Sequence, residues 1–274
     1  MALNVNTNIP SLNAQRHLAN STLSLNRSLE RLSSGLRINS ASDDAAGLAI
    51  ADRLRSDVRI ATQAMRNASD GTSAIAIGEK AIGKTGEILT RLNELASQAA
   101  SGLVADSQRS AIQEEFTALV SEIDRISSTT TFNGVSLLSA GTTVSLQVGI
   151  DGSSNSRISF TTIDGTSSGI GLSGVAVSTA AAAQSALGSI TLAIANVASR
   201  RGSLGSVESR LNTAIANLMV TRENFAAAES RIRDADVAEE TANLTRSTIL
   251  QQAGVAVLAQ ANQQPSLALT LLRG

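Results

Sequence analysis

The stretch ADRLRSDVRIATQAMRNASDGTSAIAIGEKAIGKTGEILTRLNELA, residues 51–96, decides how the rest of this chain is read. Ala51, Leu54, Val58, Ala61, Met65, Ala68, Thr72 and Ile75 alternate steps of three and four, and every seventh residue continues the phase through Ile82, Leu89 and Ala96. That is the heptad signature of a helix packed along a seam. With its flanks it predicts one helix over residues 45–100, on the order of 84 Å long at ~1.5 Å per residue. A compact globule of this chain length would be only ~50 Å across, so the sequence predicts an elongated rod.

Outward from this stretch the same spacing recurs. Leu18, Thr22, Leu25, Leu29, Leu32 and Leu36 form an earlier run, and Ile112, Phe116, Leu119, Ile123 and Ile126 a following one. A fourth comprises Leu187, Ile190, Ile194, Val197, Leu204, Leu211, Ile215, Leu218, Phe225 and Ile232, with Arg201, Glu208, Arg222 and Glu229 at the remaining seam positions. The last run is sparser: Leu244, Gln251, Val255, Leu258, Pro265, Leu269 and Leu272.

Turn signals separate the runs. Ser34-Gly35 and residues 39–44 divide the first two, with Ser42, Asp43 or Asp44 as helix cap. Ser101-Gly102 ends the second and Asn133-Gly134 the third. The period then changes to two: Val144, Leu146, Val148 and Ile150, a turn over 151–156, then Ile158, Phe160 and Thr162 predict a β-hairpin. Residues 165–174, rich in Gly and Ser, read as loop.

The fold class expected is therefore mainly α, an antiparallel coiled-coil or helical-bundle rod with a small β-hairpin region at one end. Its parts are paired terminal helices (1–44 with 232–274), a long-helix domain (45–137 with 182–231) and the hairpin and loop region 138–181. The terminal pair is thin in apolar area and barely offsets its ordering entropy alone. It is expected to fold on self-association.

Composition narrows function. Of 274 residues, 42% are hydrophobic and only 16% charged, with four Phe, no Trp, no Tyr and no Cys. The core must be built from Ala, Leu, Ile and Val. A net charge of −1 gives no attraction for a polyphosphate backbone, so no nucleic-acid partner is expected. With one His, His17, read as a polar position on a helix, zinc sites and Ser-His-Asp chemistry lose their parts. No cofactor or metal is expected, and no catalytic role. The N-terminus lacks the pattern of a Sec signal, and the charge-free stretch 247–272 carries too many Gln and Asn residues for a bilayer, so no membrane insertion is expected.

Gly78-Glu79-Lys80-Ala81-Ile82-Gly83-Lys84-Thr85 satisfies the phosphate-loop pattern G-x-x-x-x-G-K-[ST] literally. Phosphate cradling needs a loop between strand and helix, whereas the heptad phase runs through this motif unshifted. It reads as two glycines inside a long helix, with a P-loop nucleotide-binding protein as the rival from another class.

The two ends carry longer motifs. Met1-Ala2-Leu3-Asn4-Val5-Asn6-Thr7-Asn8, residues 29–39 (LERLSSGLRIN), residues 41–50 (ASDDAAGLAI), Phe132-Asn133-Gly134-Val135, residues 231–236 (RIRDAD) and the closing residues 267–273 resemble bacterial flagellins. The resemblance covers about residues 1–137 and 182–274. It implies an extracellular structural subunit of the flagellar filament, homopolymerising and exported through the flagellum's own type III apparatus. The partners it implies are the flagellar cap, hook-associated junction proteins and an export chaperone. Leu25, Leu29, Leu32, Leu36, Leu244, Val255, Leu258, Leu269 and Leu272 are the expected assembly seams. Resemblance also implies recognition by the vertebrate Toll-like receptor for flagellin, an innate immune receptor, through Arg91, Leu95 and Glu115, with Asn93 where the motif commonly has a second arginine. Within the same class the rival is a hook-filament junction protein.

Overall fold

The computed structural model describes residues 7–139 and 141–273, with side chains described as far as residue 264. The opening motif 1–6 and the side chains of Pro265, Leu269 and Leu272 thus lie outside the described residues. Five long helices are present among them: α1 (Ile9–Ser34), α2 (Ala45–Ala100), α3 (Asp106–Thr129), α4 (Ala180–Arg233) and α5 (Val237–Arg273). The mainly α reading stands, and α2 has the bounds its heptads predict.

Local chemistry sets the ends. The Asn8 side chain accepts from Ser11 N at 3.1 Å to start α1, with Pro10 in its first turn. Gly35 ends it in the left-handed conformation, φ +72°. Asp44 caps α2 by accepting from Gly47 N at 2.8 Å.

Two compact units divide the chain: residues 1–56 with 224–274, and residues 57–223. The divisions fall inside α2 and α4. Arg55 pairs with Glu229 at 3.1 Å and Asp52 with Arg233 at 3.4 Å, tying the first turns of α2 to the last of α4 within the first unit. The segment 138–181 belongs to the second unit and does not stand alone.

In the second unit α2, α3 and α4 share one core. Ile75, Ile82, Leu89 and Leu92 of α2, Phe116 and Ile123 of α3, and Ile190, Val197 and Leu211 of α4 are all buried in it. One window of α4 has a mean hydropathy of 1.3, apolar and long enough for a membrane span, but its core-facing Ile190 and Ala193 are fully buried here. Of the four charges placed on the α4 seam, Arg201 donates to Glu79 at 3.1 Å and Glu229 pairs with Arg55.

The expected hairpin forms as β3 (Thr143–Gln147) paired antiparallel with β4 (Arg157–Thr161), Val144 opposite Phe160 and Leu146 opposite Ile158. It docks on α2 at a notch. Asn67 Nδ2 donates to Gln147 O at 3.1 Å, and a Cβ on Gly71 would run into the Leu146 side chain and come within 3.3 Å of Leu211 Cδ1.

Two expectations change. Asn133-Gly134 does not end α3, which stops at Thr129. It is the turn of a short hairpin, β1 (Thr131–Phe132) with β2 (Val135–Ser136), and both turn residues have positive φ, +49° and +79°, as a two-residue hairpin turn demands. The Gly/Ser-rich loop is irregular, yet it is core material: Ile170, Leu172 and Val177 are at most 2% exposed. Arg200 fastens it by donating to Asp164 O at 2.7 Å and Gly169 O at 3.1 Å, and Ser167 N and Oγ donate to Asp124 at 2.7 and 2.9 Å.

In the first unit α1 and α5 pack antiparallel, and the α1–α2 connection is laced to the α4–α5 connection. Leu36 bridges Asp234, Arg37 N donates to Arg233 O at 2.7 Å, Ala235 N to Gly35 O at 3.0 Å, and the Arg37 guanidinium reaches Ile232 O at 2.6 Å. Asp43 closes the connection on itself, accepting on Oδ2 from Ser40 N and Ser40 Oγ, both at 3.0 Å, and from Asn39 N at 3.2 Å. The Ser40 bonds, with help from Asn39, hold its carboxyl below the 3.8 usual for aspartate.

Gly71→Ala is expected to destabilise the second unit by about 1–3 kcal/mol, less up to ~1 kcal/mol regained in helix propensity. Denaturant unfolding checks this, and an equally stable variant would remove the close approach of β3 to α2. Because the Asp43 pKa is depressed on folding, its contribution is present above the ordinary carboxylate range and lost as pH falls through the folded value. Asp43→Asn should therefore lower the stability of the first unit at neutral pH, read by denaturant or heat with the unit assembled, and the difference from the parent should shrink as pH falls through the folded value. A difference that persists in acid would refute the assignment.

Candidate functional site

The seam between α1 and α5 is built from residues smaller than the leucines chosen from sequence. On α1 the buried or half-buried line runs Ser11, Ala14, Leu18, Thr22, Leu25, Ser28, Leu32; on α5 it runs Glu240, Leu244, Ser247, Gln251, Gly254, Leu258, Ala261. Both keep strict three-four spacing. Leu25, Leu32, Leu244 and Leu258 thus sit on it, and Leu36 is half-buried in the bridge to Asp234. Leu29 and Val255 lie off this intramolecular line, 49% and 54% exposed and open to contacts outside the chain, with Ser28 and Gly254 on the line beside them. The α1–α5 line is thus carried largely by small residues at the same spacing.

Small seam residues let the two backbones approach. A Cβ on Gly254 would touch Leu18 Cδ1 at 3.4 Å. Polar bonds fix the register: Asn8 Nδ2 to Ala261 O and Ser11 Oγ to Asn262 Oδ1, each at 2.8 Å, and Arg31 beside Glu240 at 3.7 Å. The cost is apolar area turned outward. Ile9, Leu12, Leu23 and Leu29 on α1 and Val237, Ile249, Leu250, Val255 and Val257 on α5 are all about half or more exposed. Between the two helices, with Leu250 at its edge, lies a polar groove of about 460 Å³ lined by His17, Arg27, Arg31, Asn243 and Arg246 among others. His17 is exposed on its helix.

The three residues implied for receptor recognition lie together on α2 and α3, but not alike. Arg91 spans the two helices, donating from Nη2 and Nε to Glu115 Oε1 at 2.9 and 3.1 Å and from Nη1 to Glu94 at 2.9 Å. These carboxylates, Glu94 first, raise its pKa above the usual arginine value. Arg91 and Glu115 have about half their side-chain surface in solvent. Leu95 is 2% exposed in the core, so it supports the helix and offers no surface. Asn93 is half-buried, its Oδ1 without a hydrogen-bond partner.

Gly78–Thr85 lies wholly inside α2. Its backbone N–H groups are spent on helix bonds, Lys84 is paired with Glu87 at 2.8 Å, and the buried Thr85 hydroxyl donates back to Ala81 O. Phosphate-cradling geometry needs the opposite, free N–H groups converging at a helix start.

The comparisons agree with one another. The family model for the bacterial flagellin N-terminal helical region matches residues 5–143 and that for the C-terminal helical region residues 176–272. A flagellin of Halalkalibacterium halodurans is 42% identical over 98% of this chain and 99% of its own length. The flagellin of Bacillus subtilis is 38% identical over 99% of this chain and 100% of its own, and flagellin FlaB1 of Treponema pallidum 36% over 98% and 99%. Among solved structures, the crystal structure of Bacillus cereus flagellin is 26% identical, covers 60% of this chain and 94% of its own, and superposes with a TM-score of 0.51. Together with the paired terminal helices and the hairpin docked on α2, these matches at both ends and across nearly the full length place the chain in the bacterial flagellin family.

Proposed function

We propose that this chain is the structural subunit of a bacterial flagellar filament outside the cell, that it homopolymerises, and that its first unit completes its folding only among neighbouring copies. One observation carries the proposal. Ala14, Ile38, Ala51 and Ala261 are the buried hydrophobic residues described in the first unit, and Ile38 alone among them is large. Against them stand ten large apolar residues left exposed in the same unit, the nine named on α1 and α5 and Ile50. At about 25 cal/mol per Å² the buried set offsets little ordering entropy, while that many large apolar side chains left in solvent on two paired helices leave apolar area for neighbouring copies to cover.

Filament growth requires different, complementary faces on one subunit, so that the contact stays open and does not close into a ring. Low charge along the seam avoids burying unpaired ions between copies. Family membership supports the wider reading: export through the flagellar type III apparatus, and contacts with the cap, hook-associated junction proteins and an export chaperone. No phosphate-loop geometry favours the nucleotide-binding alternative. Several full-length relatives carry the names flagellin or flagellar filament core protein, which supports the filament over the junction reading.

Recognition by the vertebrate Toll-like receptor for flagellin is part of the same proposal. Arg91 and Glu115 supply a solvent-facing charge pair that crosses two rigid helices, a pre-organised surface for a partner.

Purified monomer added to short filament fragments is expected to extend them into long, uniform filaments under the electron microscope, with amide protection in α1 and α5 rising on assembly. Inert authentic seeds would reject homopolymerisation, and full protection of both helices in dilute monomer would reject folding on assembly. Arg91→Ala is expected to weaken receptor activation by soluble monomer roughly tenfold while far-UV circular dichroism is unchanged. An unaltered dose response removes Arg91 from the recognition surface.

A further inference from the structure

The turn between α2 and α3 displays a leucine with unusual rigour. Leu103 is 97% exposed. A lone exposed leucine is ordinary on a mobile loop, but this loop is clamped from within. Arg109, only 7% exposed, donates from Nε to Ala99 O and from Nη2 to Ser101 O, both at 2.9 Å, and from Nη1 to Asp106 Oδ1 at 2.7 Å. Gln108 Oε1 accepts from Ala105 N at 3.0 Å, and Val104 turns inward against the core. The backbone that carries the outward side chain is therefore fixed before any partner arrives, which lowers the ordering cost of using Leu103 as an anchor. Beside it the Asp106 side chain is 91% exposed.

A second patch on the same unit has the converse character. Ala76, Ile77 and Ala81 of α2 floor an open groove of about 590 Å³ that Thr129, Thr130 and Thr131 close on the α3 side. Ile77 is 42% exposed. Lys80 and Lys84 stand at its rim, and these are the chain's two lysines among 22 basic residues. Lys84 is paired with Glu87, whereas Lys80 is exposed and free of ion pairs among the described residues. One patch is thus a leucine beside a carboxylate, the other an apolar trough beside an ammonium group.

Along α2 the groove and the turn are roughly 35 Å apart at ~1.5 Å per residue, so Leu103 cannot fill its own groove. The occupant that matches in both apolarity and charge is a second copy. We propose that Leu103 of one copy seats in the Ala76–Ile77–Ala81 groove of the next, with Asp106 facing Lys80. Knob and groove are different patches, so each copy that receives a knob still presents its own, and the contact repeats without closing. This rests on the self-assembly reading and adds which surfaces meet.

The chain has no cysteine, which makes the test direct. Full-length chain carrying both Leu103→Cys and Ile77→Cys is grown from seeds, oxidised and dissolved in denaturant without reductant. A ladder of disulfide-linked multimers is expected, absent from either single variant; filaments that form without the ladder overturn the contact. Should the double variant not elongate, the two single variants are mixed at low fraction into unmodified chain. A disulfide dimer is then expected, and its absence overturns the contact equally. Leu103→Asp, at a position open to solvent, should leave monomer melting unchanged and raise the critical concentration for elongation roughly tenfold or more; an unchanged critical concentration also overturns it. Failure of the unmodified chain to elongate authentic seeds would defeat the self-assembly reading itself, and this contact with it.

Discussion

Everything in this chain follows from how closely its helices are allowed to approach. Along α2 the buried stripe includes Ala51, Ala61, Ala64, Ala68, Ala74, Ala96 and Ala99, and with only four Phe and no Trp or Tyr in 274 residues little beyond Ile, Leu and Phe116 sets the spacing of neighbouring helices. Alanine loses little side-chain entropy in a helix, but it also removes little apolar area from water. Close packing along long seams therefore gives order without much stability per residue. A unit of this kind needs further apolar material from elsewhere.

The second unit finds that material within the chain. α3 contributes Ile112, Phe116 and Ile123, the hairpin contributes Ile158 and Phe160, and the irregular segment before α4 contributes Ile163, Ile170, Leu172 and Val177. The first unit has no third layer. Its two long helices meet through Ser, Ala, Gly and a few half-buried leucines, Ile38 is its one large buried apolar residue among the described residues, and ten large apolar residues face out. One packing rule thus yields a unit with a closed core and a unit whose apolar surface is unspent.

How much of this was legible depended on whether large residues carried the pattern. On α2 they did, and each seam position read from the sequence between Ala51 and Ala96 is buried or half-buried. On the terminal helices Leu29 and Val255 are large and one step from Ser28 and Gly254, which lie on the α1–α5 line; heptad spacing says which residues repeat, not which of two adjacent repeats faces the partner helix within the chain. Asn133-Gly134 carried a hairpin signal, yet strands of two residues are too short for alternation to show. In the segment 165–174, Gly and Ser marked the absence of regular structure correctly. Burial of Ile170 and Leu172 there depends on Arg200 and Asp124, distant in sequence, satisfying the loop's backbone groups. Of the residues the resemblance implies for receptor recognition, neither the Arg91–Glu115 pairing nor the burial of Leu95 could be read from spacing, because both depend on how α3 lies against α2.

The arginines explain how so little core still specifies definite turns. The chain uses twenty arginines to two lysines, and at three places where irregular backbone must be held a guanidinium grips main-chain carbonyls: Arg37 on Ile232, Arg109 on Ala99 and Ser101, and Arg200 on Asp164 and Gly169. A planar fork of donors can satisfy two acceptors in fixed geometry, where an ammonium group on a flexible stem fixes none. Helix ends and loops, whose carbonyls would otherwise be orphaned, are pinned by side chains whose stems also cover apolar surface. Lysine is kept for Lys80 and Lys84, on an open face of α2, where no main-chain carbonyl is gripped and Lys84 pairs only with the exposed Glu87 one turn on. The division of labour follows from the physics of the two cations: arginine where the fold must set an angle, lysine where a solvated charge is enough.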